Sequence, residues 1–464
     1  MRVLKYFYGL RLTASGKENN SMIEKIKSAV EKHRDLILCA ERDIWATPET
    51  GYREVKTTEY MVKAFTELGY ELERPNDITG FVTTIDTGKE GPTLLILGEL
   101  DSVICFGHPE CDPETGAVHS CGHHAQAATL VGIAAALKEP GMLDGLSGKI
   151  KLCAVPAEEL LEIEYRTGLR DKGVIKYFGG KSEFLSRGYF DDVSIAFMVH
   201  TSSKYATNLG SIGCVTKSVI YKGRAAHAGG SPHRGINALY AATCGLNAVN
   251  AIRETFKDND TIRFHPIITD GGSMVNAIPE RATIETYVRG HSFEAILHEN
   301  KKINRALIGA ALSLGANVEI IDSPGYAPLH NSEDMINLAK AAYDEMFGDG
   351  EFVVRHEYST GCTDMGDLSS IMPVIHPYSG GAQGTSHGAD YYIVNPERAC
   401  VDSAKWQLLM ARKLLENDAA LAKSIIAGYK PLFGSIREFL DYQDAIMTSG
   451  DRITYTDDGA EVKL

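Results

Sequence analysis

Thr93-Leu-Leu-Ile-Leu-Gly-Glu-Leu-Asp101 is a short apolar run that ends in a carboxylate. It has the length and the flanking Pro and Asp of a β-strand, and it carries no polar alternation. A strand of that kind is buried on both faces. Two later stretches repeat the design. Lys149-Ile-Lys-Leu-Cys-Ala-Val155 runs into Pro156-Ala-Glu-Glu159, and Val193-Ser-Ile-Ala-Phe-Met-Val199 runs into His200. Gly80–Thr87 reads as a further strand. Between the first two of the ligand-ended strands lies an Ala/Leu-rich helix over 125–138, and amphipathic helices are expected at 22–45 and 57–68. Strands alternating with helices predict an α/β fold with a mostly parallel sheet covered on both faces. In such sheets ligands bind beyond the carboxyl ends of the strands, where these polar residues fall.

After Gly213 the pattern changes. Strands are expected at 216–222, 261–269, 280–289 and 317–321, with long helices at 237–256 and 293–314. The order β-α-β-β-α-β is that of a ferredoxin-like α+β domain. The chain is expected to return to the first domain near Tyr326–Asn331, continue with a helix at 333–346 and a loop-rich segment at 361–387, and end its core with a helix at 396–417. The expected division is a catalytic domain at 22–213 and 328–425, an inserted domain at 214–327, and a C-terminal tail at 426–464. The residues before Met22 read as an extension, and Met22 is a candidate start.

Composition narrows the function classes. The 464 residues carry a net charge of −14, with the basic residues scattered, which disfavours a phosphate backbone as partner. No run of about 18 apolar residues predicts a membrane span. Nine cysteines at irregular spacing suit reduced thiols and a cytoplasmic location better than a disulfide framework.

The chemistry concentrates in His119-Ser-Cys-Gly-His-His124 and in the Glu158-Glu159 pair. Thiolate and imidazole suit zinc-like ions, and Cys121 with His123 can serve one ion or bridge two. Of two adjacent glutamates, one can ligate a metal while the other takes a proton from water that the metal has acidified. A Cys beside surface histidines and a solvated acidic turn are the commoner meanings of each motif alone. Both lose ground once His200 joins them at the same sheet edge. A further ligand could come from His387 or from His376; spacing does not choose between them.

Taken together, these residues resemble the dinuclear metallo-amidohydrolases: aminoacylases, indole-acetyl-amino-acid hydrolases, p-aminobenzoyl-glutamate hydrolases and related carboxypeptidases. The resemblance covers roughly residues 25–415 and rests on motifs kept in order. They are Thr47-Pro-Glu-Thr-Gly-Tyr52, Gly98-Glu-Leu-Asp101, Ser120-Cys-Gly-His123, Pro156-Ala-Glu-Glu159, His200, Gly223-Arg-Ala-Ala-His-Ala228, Val275-Asn-Ala-Ile-Pro279, Arg289, Cys362-Thr-Asp-Met-Gly-Asp-Leu-Ser369, Ile375-His-Pro-Tyr378 and His387. The Thr-Asp-Met-Gly-Asp and Ile-His-Pro-Tyr segments are most similar to the p-aminobenzoyl-glutamate hydrolase and dipeptidase-like branch.

The resemblance implies that Cys121, His123, Glu159, His200 and His387 hold two divalent ions, zinc or manganese. It implies Glu158 as general base, Asp101 as support behind the metal site, and His227 as stabiliser of the tetrahedral intermediate, reaching the partner's site. Asn276 and Arg289 would hold the substrate. The inserted domain would act as lid and dimerisation domain of a homodimer. The expected substrate is an N-acyl or N-aroyl amino acid or a dipeptide, with no nucleic acid and no membrane as partner. His124, where relatives usually carry Asp or Asn, and an inserted-looking stretch at 165–180 depart from the pattern. Two other readings remain open here: a thiol hydrolase with Cys121 as nucleophile, and a metal- or ligand-binding relative that has lost turnover.

Overall fold

The computed structural model describes residues 16–464. The expected N-terminal extension lies outside the described residues up to position 15, and the first helix opens at Gly16, ahead of Met22.

The first layer is built from α1 (Gly16–Lys32), α2 (Arg34–Trp45), α3 (Val55–Glu67), β1 (Phe81–Asp86), β2 (Thr93–Glu99), α4 (His123–Leu137), β3 (Lys149–Val155) and β4 (Val193–Phe197). The central sheet runs β1-β3-β2-β4 and is completed by Val374–Ile375. β3, β2, β4 and Val374–Ile375 are parallel; β1 pairs antiparallel with β3 at the edge. All of β2 is buried, so the unbroken apolar run is explained. Its side chains alternate between two cores. Leu94 and Ile96 join the cluster under α2 and α4, while Leu95 and Leu97 join the cluster that continues to the second sheet. α4 is buried throughout and, past Gln126, is made of small or apolar residues apart from Thr129, which lets it cross β2 closely.

The second sheet holds β5 (Gly213–Lys222), β6 (Arg281–Gly290) and β7 (Asn317–Pro324), with Arg263–Phe264 and Ile267–Asp270 along the outer edge of β6. β5 is antiparallel to both β6 and β7. Helices α5 (Ala238–Ile252) and α6 (Phe293–Ser313) pack on it, giving the β-α-β-β-α-β order. The strand expected at 261–269 is split in two because Pro266 has no N–H to donate to the ladder. Chain exit and return are adjacent: Ser211, before β5, pairs with Leu329, just after β7.

The segment expected as a tail is structured. A helix at Ile436–Ile446 and a hairpin at Ile453–Val462 follow the long kinked helix Ser403–Gly428. Thr448 exchanges backbone hydrogen bonds with Asp322 of β7, and the Phe433 amide donates to Ser370 O, so this segment touches both layers.

Candidate metal centre

β2, β3 and β4 end side by side, and each brings a candidate site residue at or just past its end. Asp101 lies two residues past β2, Glu158 and Glu159 lie beyond β3, and His200 opens the short strand after β4. Cys121 and His123 enter at the N-terminus of α4. The turn there is possible because Gly122 adopts φ 101°, and a Cβ on it would collide with the Thr201 hydroxyl and the Tyr391 phenol.

Three groups of donors converge. Cys121, His123 and His200 form one; Cys121, Glu159 and His387 form a second; Glu99, His123 and Glu158 form a third, with the ligand atoms in each group lying within 4.8 Å of one another. Cys121 belongs to the first two. Its Sγ lies 3.4 Å from His200 Nε2, and His387 Nε2 lies 2.9 Å from Glu159 Oε1. The His387 backbone, at φ 63°, is tied by its amide to Ser120 O. His376 lines the same cavity with its ring tilted against that of His200, yet joins no donor group. His124 turns away: Nε2 lies 3.3 Å from Glu41, and the ring packs on Trp45.

Asp101 supports the centre from behind. Its Oδ1 lies 3.1 Å from His123 Nδ1, and its Oδ2 accepts from the Glu159 amide at 2.8 Å. This leaves His123 Nε2 buried and facing the cluster, 3.2 Å from Glu99 Oε2 and 3.9 Å from Glu158 Oε2 but in hydrogen-bond geometry with neither. An imidazole nitrogen that faces carboxylates and a thiol without aligning to any of them is what a cation would satisfy.

Electrostatics point the same way. Glu99, Asp101, Glu158, Glu159 and Asp364 meet here, all buried or nearly so. Burial raises the Cys121 thiol, but His123 and His200 outweigh it and bring it down to about 6. Burial also opposes the charge on Glu159, and the His387 contact overcomes it, holding the carboxyl low. Glu158 has only the more distant His123 Nε2, at 3.9 Å, to oppose this; burial, with Glu99 and Glu159 nearby, pushes its carboxyl well up. A carboxyl that holds its proton this strongly beside a candidate ligand suits general-base work once cations are present.

Sequence reading missed the buried group behind the centre. Lys181 Nζ bonds Glu99 Oε1 at 2.7 Å and also pairs with Asp364, while Gln126 Nε2 donates to Glu99 Oε2 at 2.9 Å. Glu99 and Asp364 sat inside quoted motifs; a lysine opening a short helix after a Gly-Gly turn carried no comparable signal. The stretch at 165–180 contributes Arg166, which is buried and donates to the carbonyls of Glu159 and Phe178.

These residues open on a cavity of about 530 Å³, large enough for a dipeptide-sized molecule. Arg289 lines it together with Tyr287, Tyr326, Cys214 and Cys362. Among the described residues its guanidinium has no hydrogen-bonded partner and contacts the Tyr287 ring. His227 and Asn276 do not line the cavity of their own chain. They stand exposed where Ala226–His227 pairs with Ala277–Ile278, and His227 Nδ1 accepts from the amides of Gly229 and Gly230.

The model for peptidase family M20/M25/M40 matches residues 95–413, a span that begins in β2 and includes every donor named above. The chain belongs to this family. It is 32% identical to the Xaa-Arg dipeptidase of Homo sapiens over 437 residues, covering 89% of this chain and 91% of that protein. It is 27% identical to the indole-3-acetyl-aspartic acid hydrolase of Enterobacter agglomerans over 338 residues, covering 60% of this chain and 72% of that protein. In fold it is similar to a dinuclear metal-binding peptidase of the M20 family from Bacillus subtilis, with a TM-score of 0.60, 20% identity, and coverage of 83% of this chain and 99% of that one. This M20 chain is a metal-dependent hydrolase of amide bonds. Among its described residues no helix is long and apolar enough to cross a membrane.

Proposed function

We propose that this M20 hydrolase cleaves the amide bond of a dipeptide or of an N-acyl or N-aroyl amino acid, with Glu158 as general base. The observation that carries this reading is that two donor groups share Cys121, with the Glu158 carboxyl beside them, 3.9 Å from His123 Nε2. Cys121, His123, Glu159, His200 and His387 would hold two divalent cations, for which this mixed thiolate, imidazole and carboxylate set suits zinc and also admits manganese. Bound there, the cations would acidify water and polarise the substrate carbonyl.

Glu158 then takes the proton of the attacking water and delivers it to the leaving amine. Asp101 keeps the ring of His123 oriented. Arg289 receives the substrate carboxylate through charge-assisted hydrogen bonds, and the unpaired state of its guanidinium supports this role. His227 and Asn276 would act from a second copy, with His227 stabilising the oxyanion; their exposure in their own chain supports a homodimer in which residues 214–327 serve as lid and interface. Nine free thiols support a cytoplasmic location. The separation of 3.4 Å between Cys121 Sγ and His200 Nε2 also fits a nucleophile–base pair. That second reading requires activity in chelator, whereas the metal reading requires its loss and recovery on adding zinc or manganese. Elemental analysis coupled to a panel of dipeptides, N-acyl amino acids and p-aminobenzoyl-glutamate tests both. A metal-loaded protein that turns over none of them overturns the substrate assignment.

A further inference from the structure

Four consecutive carbonyl oxygens in the loop after β3 are each held by a different element. Ala157 O accepts from the Gly180 amide at 3.2 Å. Glu158 O accepts from the Tyr326 phenol, Glu159 O from the Arg166 guanidinium, and Leu160 O from the Tyr287 phenol. The loop's amides are fixed as well: Ala157 N donates to Glu54 Oε1 at 2.7 Å, and Glu159 N donates to Asp101 Oδ2 at 2.8 Å. A loop so constrained has one backbone path, and that path sends Glu158 toward His123 and Glu159 toward His387. Ala157 sits at φ 54°, a conformation that a non-glycine residue keeps only when its surroundings over-determine it.

Two of these four donors do not belong to the first layer. Tyr287 lies in β6 of the second sheet, and Tyr326 lies two residues past β7, on the returning chain. We propose that Tyr287 and Tyr326 are positioning residues that couple the seating of the second sheet to the aim of Glu158 and Glu159, through the carbonyls of Leu160 and Glu158. This deepens the hydrolase reading and rests on it for its catalytic consequence. The physical content is that the base and its neighbouring ligand are correctly aimed only while the second sheet is seated. Small misplacements are costly because a proton-transfer group displaced by about 1 Å can lose on the order of a hundredfold in rate. Tyr326 is buried beside Cys214 and Ala157, the Tyr287 ring faces the Arg289 guanidinium, and Phe keeps either ring in place. Replacing either with Phe therefore removes the hydroxyl and little else.

The experiment compares wild type, Tyr287→Phe, Tyr326→Phe and the double variant in three measurements. They are steady-state kinetics, metal content with the thermal midpoint, and amide hydrogen exchange of the peptide spanning 156–162 in the metal-free protein. Expected for each single variant is a fall in kcat of about tenfold or more, KM within about threefold, unchanged metal content and thermal midpoint, and faster exchange in that peptide. A cobalt-loaded sample of each variant should also show a shifted visible spectrum, since Glu159 follows the same backbone. The proposal is overturned if both single variants keep kcat within twofold, or if kcat falls only in proportion to lost metal or lost fold. A wild type inactive on every amide would sink the hydrolase reading alone. In that case unchanged exchange and an unchanged cobalt spectrum would overturn the coupling, and changes in both would uphold it.

Discussion

His123 and Asp101 meet twice: His123 Nδ1 lies 3.1 Å from the carboxylate Oδ1 and 2.9 Å from the backbone oxygen of the same residue. The same carboxylate's Oδ2 holds the Glu159 amide, so one side chain fixes two proposed ligands, one at the N-terminus of α4 and one past the end of β3. Asp101→Asn keeps the shape but replaces one oxygen with an amide nitrogen that cannot accept. Metal affinity is expected to fall about 10- to 100-fold, with kcat reduced even at saturating metal. Competition against a chromophoric chelator measures the first effect, and turnover in excess zinc the second. Unchanged values for both would remove Asp101 from the site.

Glu158→Gln separates base from ligand. A carboxamide cannot take the proton, so kcat should drop by about 10²- to 10⁴-fold while the bound metal persists. Full turnover with metal retained would refute the assignment. Loss of metal along with activity would move Glu158 from the base to the ligand set.

Lys181 tests the buried group behind the centre. Its ammonium is fully buried between Glu99 and Asp364, and both carboxyls are buried too. Lys181→Met leaves two buried carboxyls without their cation, and breaking such a pair costs roughly 3–5 kcal/mol. Urea unfolding should show a lower midpoint with an unchanged slope. A midpoint equal to wild type would mean that water reaches these carboxylates and that the network contributes little to stability.

The legible part of this molecule is what local pattern encodes. β2, β3 and β4 could be read because buried parallel strands are unbroken apolar runs, and their terminal ligands were visible at the same points. β6 and α6 were readable from strict alternation and helical spacing. Strands of two residues such as Val374–Ile375 carry no period and were not seen. Lys181 and Tyr326 were missed for a different reason. Each acts through contacts to segments far along the chain, Lys181 with Glu99 and Asp364 and Tyr326 with Glu158 O, and nothing in its own neighbourhood announces the partners. The docking of the tail was not visible because it runs through backbone bonds of Thr448 and Arg452 to β7, which carry no side-chain pattern, while the hairpin itself stays almost wholly exposed.

Asp367 gives the stability a pH dependence. Burial, and then the nearby Asp364, push its carboxyl up to about 8 while it accepts from Ala327 N and Ser182 Oγ. In the unfolded chain the group titrates near the ordinary value of about 4. Between those values the folded chain binds a proton that the unfolded chain does not, so this contribution is complete at low pH and is lost as pH rises toward 8. Asp367→Asn cannot ionise and should lose less stability than wild type between pH 5 and pH 8, read as urea midpoints at fixed metal. Part of the slope will remain, because burial and Asp101 also push Glu54 up to about 8. A slope identical to wild type would mean Asp367 is ionised in the folded chain.

His227 decides whether one protomer suffices. It is exposed, its Nδ1 is taken by two backbone amides, and it does not line the cavity that holds Glu158. If it serves the partner's cavity, His227→Ala and Glu158→Ala are each inactive alone but complement when mixed. A mixed dimer has one cavity with an intact Glu158 facing an intact His227, and the other cavity has neither. Random re-association of equal amounts should therefore restore about a quarter of wild-type activity. Recovery must follow the rate of protomer exchange and vanish under conditions that prevent it. No recovery, with mixed dimers verified by native mass spectrometry, would place His227 outside the reaction of either protomer or confine it to its own chain. The activity of His227→Ala alone then distinguishes these outcomes: near wild type in the first case, strongly reduced in the second.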